Sequence, residues 1–141
     1  MTIAYIIEGR EQQIITCSPE HRVHDAARLL AENRIGCLPV LEGDTVVGVF
    51  SERDLLYCIA REGGTVLEKP VGAVMTAPAI TIAATSDVLA ALSLMTRRRI
   101  RHLPVMQGET MAGFVSIGDL VKFRMDRIEE EAQAMRAYIS Q

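Results

Sequence analysis

The chain has no tryptophan and only six aromatic residues, Tyr5, Phe50, Tyr57, Phe114, Phe123 and Tyr138. That leaves no spread of rings on which nucleic-acid bases could stack. Positive charge is not in excess either: 15 Lys and Arg stand against 18 Asp and Glu, for a net charge of −3 and a pI of about 5.6. The global basic field that would draw in nucleic acid or a membrane surface is therefore missing. No apolar run approaches the ~18 residues of a membrane-spanning helix. The opening MTIAYIIEGR also lacks the basic start of a signal peptide. Cysteines number three, at 17, 37 and 58. Odd in number, isolated and in apolar contexts, they read as reduced thiols of a cytoplasmic protein, packed as small hydrophobes. There is no Walker loop and no G-x-G-x-x-G, and neither Ser51 nor Ser116 has a base nearby in sequence. His21 and His24 lack a third ligand and read as a surface pair rather than a metal site. Nothing amounts to a catalytic apparatus, so the expectation is a protein that is not an enzyme and has no catalytic cofactor.

What the chain does have is a stretch written twice. IGCLPVLEGDTVVGVFSERDLL, from Ile35 to Leu56, returns as IRHLPVMQGETMAGFVSIGDLV, from Ile100 to Val121. The offset is 65 residues without a gap, and ten of 22 positions are identical. Extended back to Ile15 and Ile80, the match is 16 of 42 positions. Repetition at one fixed period marks a supersecondary unit used more than once.

The periodicities give the unit its elements. Ile14 to Cys17 is a short β-prone run, followed by a helix in which Val23, Ala26, Ala27 and Leu30 share one face. Gly36 stands where that helix should stop. Leu38–Leu41 and Thr45–Phe50, joined by Glu42-Gly43-Asp44, form a hairpin, and a helix follows Ser51. The second copy repeats this from the strand Ile80–Ile82, with Thr85-Ser86-Asp87 as N-cap chemistry and Val88, Ala91, Leu92 and Met95 as the helical face. The fold class is α/β (α+β), with two β-α-β-β-α units in tandem. We divide the chain into a first unit with the N-terminal segment (residues 1–62), a linker (63–72), a second unit (73–124) and a helical extension (125–141). The last helix is expected from near Ile117 to Ile139, and along it Val121, Met125, Ile128, Ala132, Met135 and Ile139 step by 4, 3, 4, 3, 4. That is a narrow seam of nearly three heptads. It either packs on its own domain, beside residues 2–8, or is shared between two chains, and its narrowness favours the second.

The chemistry sits where each hairpin ends. Residues 48–54 and 113–119 share the pattern G-h-h-S-x-x-D, with h apolar. A helix start offers free N–H groups and the positive end of a dipole to a phosphate. Ser51 or Ser116 adds a hydroxyl, and Asp54 or Asp119, one turn on, suits a ribose diol. A single S-x-x-D is more often a capping pair. Two in matched context point to a ligand cleft. Arg97 and Arg98 read as cations at a helix C-terminus. Arg101 and His102 lie at the mouth of the second hairpin, where the first copy has Gly36 and Cys37, so the second unit is expected to hold the charged end of a polyphosphate. Arg53 supplies one charge to the first.

The duplicated unit, with its LPV, its turn glycine, its G-h-h-S-x-x-D and the lead-in Val71-Gly72-Ala73-Val74-Met75-Thr76, resembles the CBS domain; two in tandem resemble a CBS pair, or Bateman module. The resemblance implies units packed by pseudo-twofold symmetry about two clefts that take adenosine-containing ligands: AMP, ADP, ATP, NAD(H) or S-adenosylmethionine. It implies phosphate contacts for Ser51 and Ser116 and ribose contacts for Asp54 and Asp119. Thr16 and Thr81 would lie near the adenine, which Leu38-Pro39 and Leu103-Pro104 would help wall, and Arg101 and His102 match positions that reach phosphates. It further implies a stand-alone bacterial sensor, a homodimer that signals to a regulated protein in trans. The acidic balance, sparse aromatics and lack of a long apolar run lead us to expect neither nucleic acid nor a membrane as partner. The alternative is an interaction module with vestigial clefts that acts through its C-terminal helix.

Overall fold

The computed structural model describes residues 1–9 and 13–140. In chain order the elements are α1 (Ile3–Glu8), α2 (Val23–Asn33), β1 (Cys37–Glu42), β2 (Thr45–Ser51), α3 (Glu52–Glu62), β3 (Ile82–Ala83), α4 (Val88–Arg98), β4 (His102–Gln107), β5 (Thr110–Ser116) and α5 (Ile117–Ile139). The tandem architecture expected from the repeat is present, long C-terminal helix included. Each hairpin turns through a glycine with positive φ, Gly43 at +62° and Gly108 at +63°, where side chains other than glycine are strained.

The first strand of each unit is shorter than its sequence suggests. In the second unit β3 runs parallel to β4, pairing Ile82 with Val105 and Ala83 with Met106. In the first unit the equivalent strand shrinks to one parallel bridge, Cys17 to Val40. The cause is one residue. The Ala84 amide donates to the Met106 carbonyl at 2.9 Å. Its counterpart 65 residues earlier is Pro19, which has no N–H, so the ladder stops. The helix ends also differ from expectation. α2 stops at Arg34 rather than at Gly36, and α4 stops at the matched Arg99, both residues left-handed with φ of 53° and 55°.

The two cores are entered by each other's leading segments. Val23, Ala26, Leu30, Leu38, Val40 and Phe50 form the first core, joined by Val71 with Val74 and Met75 packed against it. Val88, Ala91, Met95, Leu103, Val105 and Val115 form the second, joined by Ile3 and Ile6 of α1. The N-terminal segment, grouped by sequence with the first unit, therefore packs on the second. Its Ile3 and Ala4 amides donate to the carbonyls of Ser86 and Ala84 at 2.8 and 2.9 Å. The stretch between the units is not an open linker: Val66 and Val71 are fully buried, within the 3-10 turns Gly63–Glu68 and Val71–Ala73.

Glycines at the hairpins make these crossings possible. A Cβ on Gly48 would lie 2.7 Å from the Thr76 carbonyl oxygen, and one on Gly113 would lie 2.8 Å from Ile7 Cγ2. The first obstacle is backbone, held by reciprocal Val49 and Thr76 hydrogen bonds of 3.0 and 2.9 Å; the second is a side chain that can turn away. Gly48→Ala should destabilise the protein by about 2–3 kcal/mol and Gly113→Ala by about 1 kcal/mol. Urea denaturation of both variants reads this directly, and equal losses would contradict the assignment.

Candidate functional site: two clefts between the units

Each strand-to-helix junction is a complete capping box. The Ser51 hydroxyl accepts from the Asp54 amide at 3.1 Å, and the Ser51 amide donates to Asp54 Oδ2 at 2.9 Å. The second copy repeats this, with the Asp119 amide on Ser116 Oγ at 3.1 Å and the Ser116 amide on Asp119 Oδ2 at 2.8 Å. So both pairs cap their helices, as a lone S-x-x-D would. At Asp54 there is a further partner: the Thr76 hydroxyl donates to Oδ1 at 2.8 Å. Thr76 belongs to the lead-in of the other unit. The lead-in was legible as a motif, but its place on the Ser51 junction was not.

The two junctions open into different clefts. The first is lined by Val49, Ser51, Arg53, Asp54, Thr76, Ile80, Arg99, Ile100, Arg101 and His102, among others, around a cavity of about 170 Å³. The second, of about 320 Å³, is lined by Ile14, Ile15, Arg34, Ile35, Gly36, Cys37, His102, Phe114, Ser116 and Asp119, with Gln13. A shift of 65 residues carries one lining onto the other. Val49 maps to Phe114, Ser51 to Ser116, Asp54 to Asp119, Ile80 to Ile15, Arg99 to Arg34 and Arg101 to Gly36. That mapping is the pseudo-twofold. Each cleft joins the helix start of one unit to the helix end and strand entry of the other.

This geometry corrects the expected placement of charge. Arg101 precedes the second LPV, yet it lines the cleft of Ser51 and Asp54, and it does not line that of Ser116. Face-to-face packing is the reason: the residues entering one hairpin look across at the other unit's helix. The first cleft thus gathers Arg53, Arg99 and Arg101 beside Glu52 and Asp54, whereas the second has Arg34 and Asp119. Arg53 also reaches across the units, its Nη1 donating to the Arg99 carbonyl at 3.4 Å. His102 borders both clefts and stacks on Phe114 with ring centroids 5.7 Å apart.

The other sequence candidates sit elsewhere. Leu38 and Leu103 are fully buried in the two cores, and Pro39 and Pro104 are buried beside them. None of the four lines a cleft, nor do Thr16 and Thr81. The apolar walls are instead Val49, Ile80 and Ile100 in one cleft, and Ile14, Ile15, Ile35 and Phe114 in the other. Cys37 touches both clefts, but burial, with a smaller push from Asp54, raises its thiol to about 12; burial also raises Cys17, to about 11. Such thiols stay protonated and pack as apolar groups. His21 is engaged locally, its Nδ1 accepting from the Ser18 amide at 3.0 Å. Among the described residues no group of His, Cys, Asp and Glu could hold a metal ion. Among them, too, no helix is long and apolar enough to cross a membrane.

Comparison with known proteins settles the family. The sequence matches the CBS domain twice, over residues 11–61 and 71–126. The chain belongs to the CBS-domain family. An Arabidopsis thaliana relative, the CBS domain-containing protein CBSX3, mitochondrial, is 37% identical over 128 residues, 87% of this chain and 62% of that protein. The chain thus spans less than two thirds of that relative. The crystal structure of the CBS-domain containing protein ATU1752 from Agrobacterium tumefaciens superposes with a TM-score of 0.83 at 30% identity, covering 88% of this chain and 99% of that one. A crystal structure of CBSX2 in complex with AMP superposes with a TM-score of 0.77 at 27% identity, covering 89% and 96%. CBS pairs are regulatory, and that relative holds an adenosine nucleotide.

His102 supplies a pH test. Burial holds its imidazole below the ordinary value of 6.5, against the opposing pull of Asp119 and Glu52. The unfolded chain therefore binds more protons than the folded one at and just below that value. Stability should fall as pH drops through 6.5 and level off above it. In His102→Gln this part of the pH slope should vanish, as thermal melts at pH 5.5 and 7.5 would show; an unchanged slope would remove His102 as its source.

Proposed function

We propose that the chain is a non-catalytic regulatory module that binds an adenosine-containing ligand between its two CBS units and signals to a partner protein in trans. The observation that carries this reading is the convergence of Ser51, Arg53, Asp54, Arg99 and Arg101 on one cleft with an apolar wall. At the start of α3, where the Glu52 amide donates to the Gly36 carbonyl and the Asp54 amide to Ser51, the Arg53 amide and the Ser51 hydroxyl take a phosphate. Arg53 and Arg101 neutralise it with charge-assisted hydrogen bonds. Asp54, already steadied by Ser51 and Thr76, accepts from the ribose hydroxyls. Val49, Ile80 and Ile100 cover the base. In this reading the Ser51 cleft is the principal site, and the Ser116 cleft, with glycine in place of Arg101, binds more weakly. AMP, the ligand of the CBSX2 complex, is the first to test; ADP, ATP, NAD(H) and S-adenosylmethionine follow. The ligand shifts the relative orientation of the units, which a homodimer presents to the regulated protein.

Calorimetry with each ligand is the direct measurement, and no binding of any of them at millimolar concentration would sink the proposal. Arg101→Gln should weaken AMP at least about tenfold, close to 1.4 kcal/mol. Asp54→Asn should cost more affinity than Asp119→Asn, and the reverse order would move the principal site to the other cleft.

The exposed seam of α5 favours a second reading, an interaction module whose clefts are vestigial. Truncation after Arg124 separates the two. Nucleotide binding survives it on the first reading, while on the second assembly is lost and no nucleotide binds either form.

A further inference from the structure

The helix α5 is 23 residues long, about 35 Å. Only its beginning belongs to the globular body. Leu120 is fully buried, Phe123 packs against the second core, and the Phe123 ring meets Tyr5 edge-on at 5.9 Å. The seam faces another way, about 100° round the helix from Leu120 at its first residue, Val121. Met125 is 63% exposed, Ile128 51%, Met135 60% and Ile139 73%. α1 therefore covers the root of the helix and leaves its seam open.

The charges beside the seam say what fits it. With Val121, Ile128 and Met135 as d positions and Met125, Ala132 and Ile139 as a positions, the g positions are Arg124, Glu131 and Tyr138, and the e positions are Lys122, Glu129 and Arg136. In a parallel pair each g side chain meets the e side chain five residues on in the other helix. Arg124 then faces Glu129, and Glu131 faces Arg136: both complete charge pairs are opposite in sign. In an antiparallel pair g meets g and e meets e. Centred on the same apolar layers, that arrangement sets Glu129 against Glu129, Glu131 against Glu131 and Lys122 against Arg136, all like in sign. Arg127, outside the flanks, is turned to Glu130 of its own helix at 4.0 Å.

We infer that α5 docks in parallel and in register against α5 of a second copy of this chain, with Arg124–Glu129 and Glu131–Arg136 pairs fixing the direction. This rests on the homodimer reading above and adds to it an interface and an orientation. It brings the C-termini of two chains together at one end of the assembly, while the clefts stay at the other.

Disulfide trapping tests it without any nucleotide, so a failure of nucleotide binding leaves the result readable. The natural cysteines are all buried and do not interfere. Full-length Ile128→Cys chains should cross-link to each other on mild oxidation, as should Ala132→Cys chains. A mixture of the two should give almost no mixed dimer. Preferential 128-to-132 cross-links would show an antiparallel pair and overturn the proposal; so would no cross-linking together with a monomer in sedimentation at 100 times the working concentration. Charge reversal is the independent arm. Arg124→Glu should raise the dimer dissociation constant about tenfold at low salt, an effect that shrinks as salt screens the pair. Adding Glu129→Arg to that variant should restore it. These positions are exposed, so circular dichroism should show each variant folded. A dimer indifferent to both changes would refute the assigned pairing.

Discussion

One close approach of two backbones organises the molecule. At Gly48 the chain has no side chain, and the Thr76 carbonyl oxygen lies only 2.7 Å from where a Cβ would stand. This holds the lead-in of the second unit against the hairpin of the first. Thr76 is thereby set to donate to Asp54, and Ile80 to wall the cleft above Ser51. At Gly113 the side chain of Ile7 makes the corresponding approach from the N-terminal helix. The two units are thus tied by interleaved segments as well as by opposed faces. Neither core is complete without residues from beyond its own repeat.

The asymmetry of the clefts follows from this interleaving together with a handful of substitutions. The backbone frame is nearly the same in both: capping box, hairpin with one irregularity, left-handed helix end. What differs is the side chains at matched positions. Arginine at 101 against glycine at 36 gives the first cleft an extra cation, and phenylalanine at 114 against valine at 49 gives the second an extra ring. A duplicated frame supplies two clefts; the drift between the copies decides how unlike they are. His102, its imidazole held below the ordinary value by burial and present at both, is the point where the two environments meet.

Much of this was legible in the sequence, and what was not has a common cause. The repeat, the hairpins with their glycine turns, the full span of α5 and the S-x-x-D junctions all come from local pattern, because capping, turn chemistry and helical periodicity act over a few residues. The destinations of Arg101, Thr76 and the N-terminal helix depend on which faces meet across the pseudo-twofold, and no local pattern encodes that. Leu38, Pro39, Leu103 and Pro104 were expected at the ligand, yet strand alternation and the hydrophobic gain of burial place them in and beside the cores. The stop of α2 was assigned to Gly36, the residue type that fits a left-handed cap best, but Arg34 adopts that conformation two residues earlier.

That last detail has a wider bearing. Arg34 and Arg99 are the two residues other than glycine with positive φ among those described, and they occupy matched helix ends. A left-handed conformation disfavours a side chain by roughly 1 kcal/mol. Glycine at these two places would relieve that strain, and a search for a hardier protein would find it early. Yet each side chain borders a cleft, Arg99 the first and Arg34 the second. If the clefts take the phosphate proposed above, resistance to heat and recognition of an anion are set against each other at these two single positions.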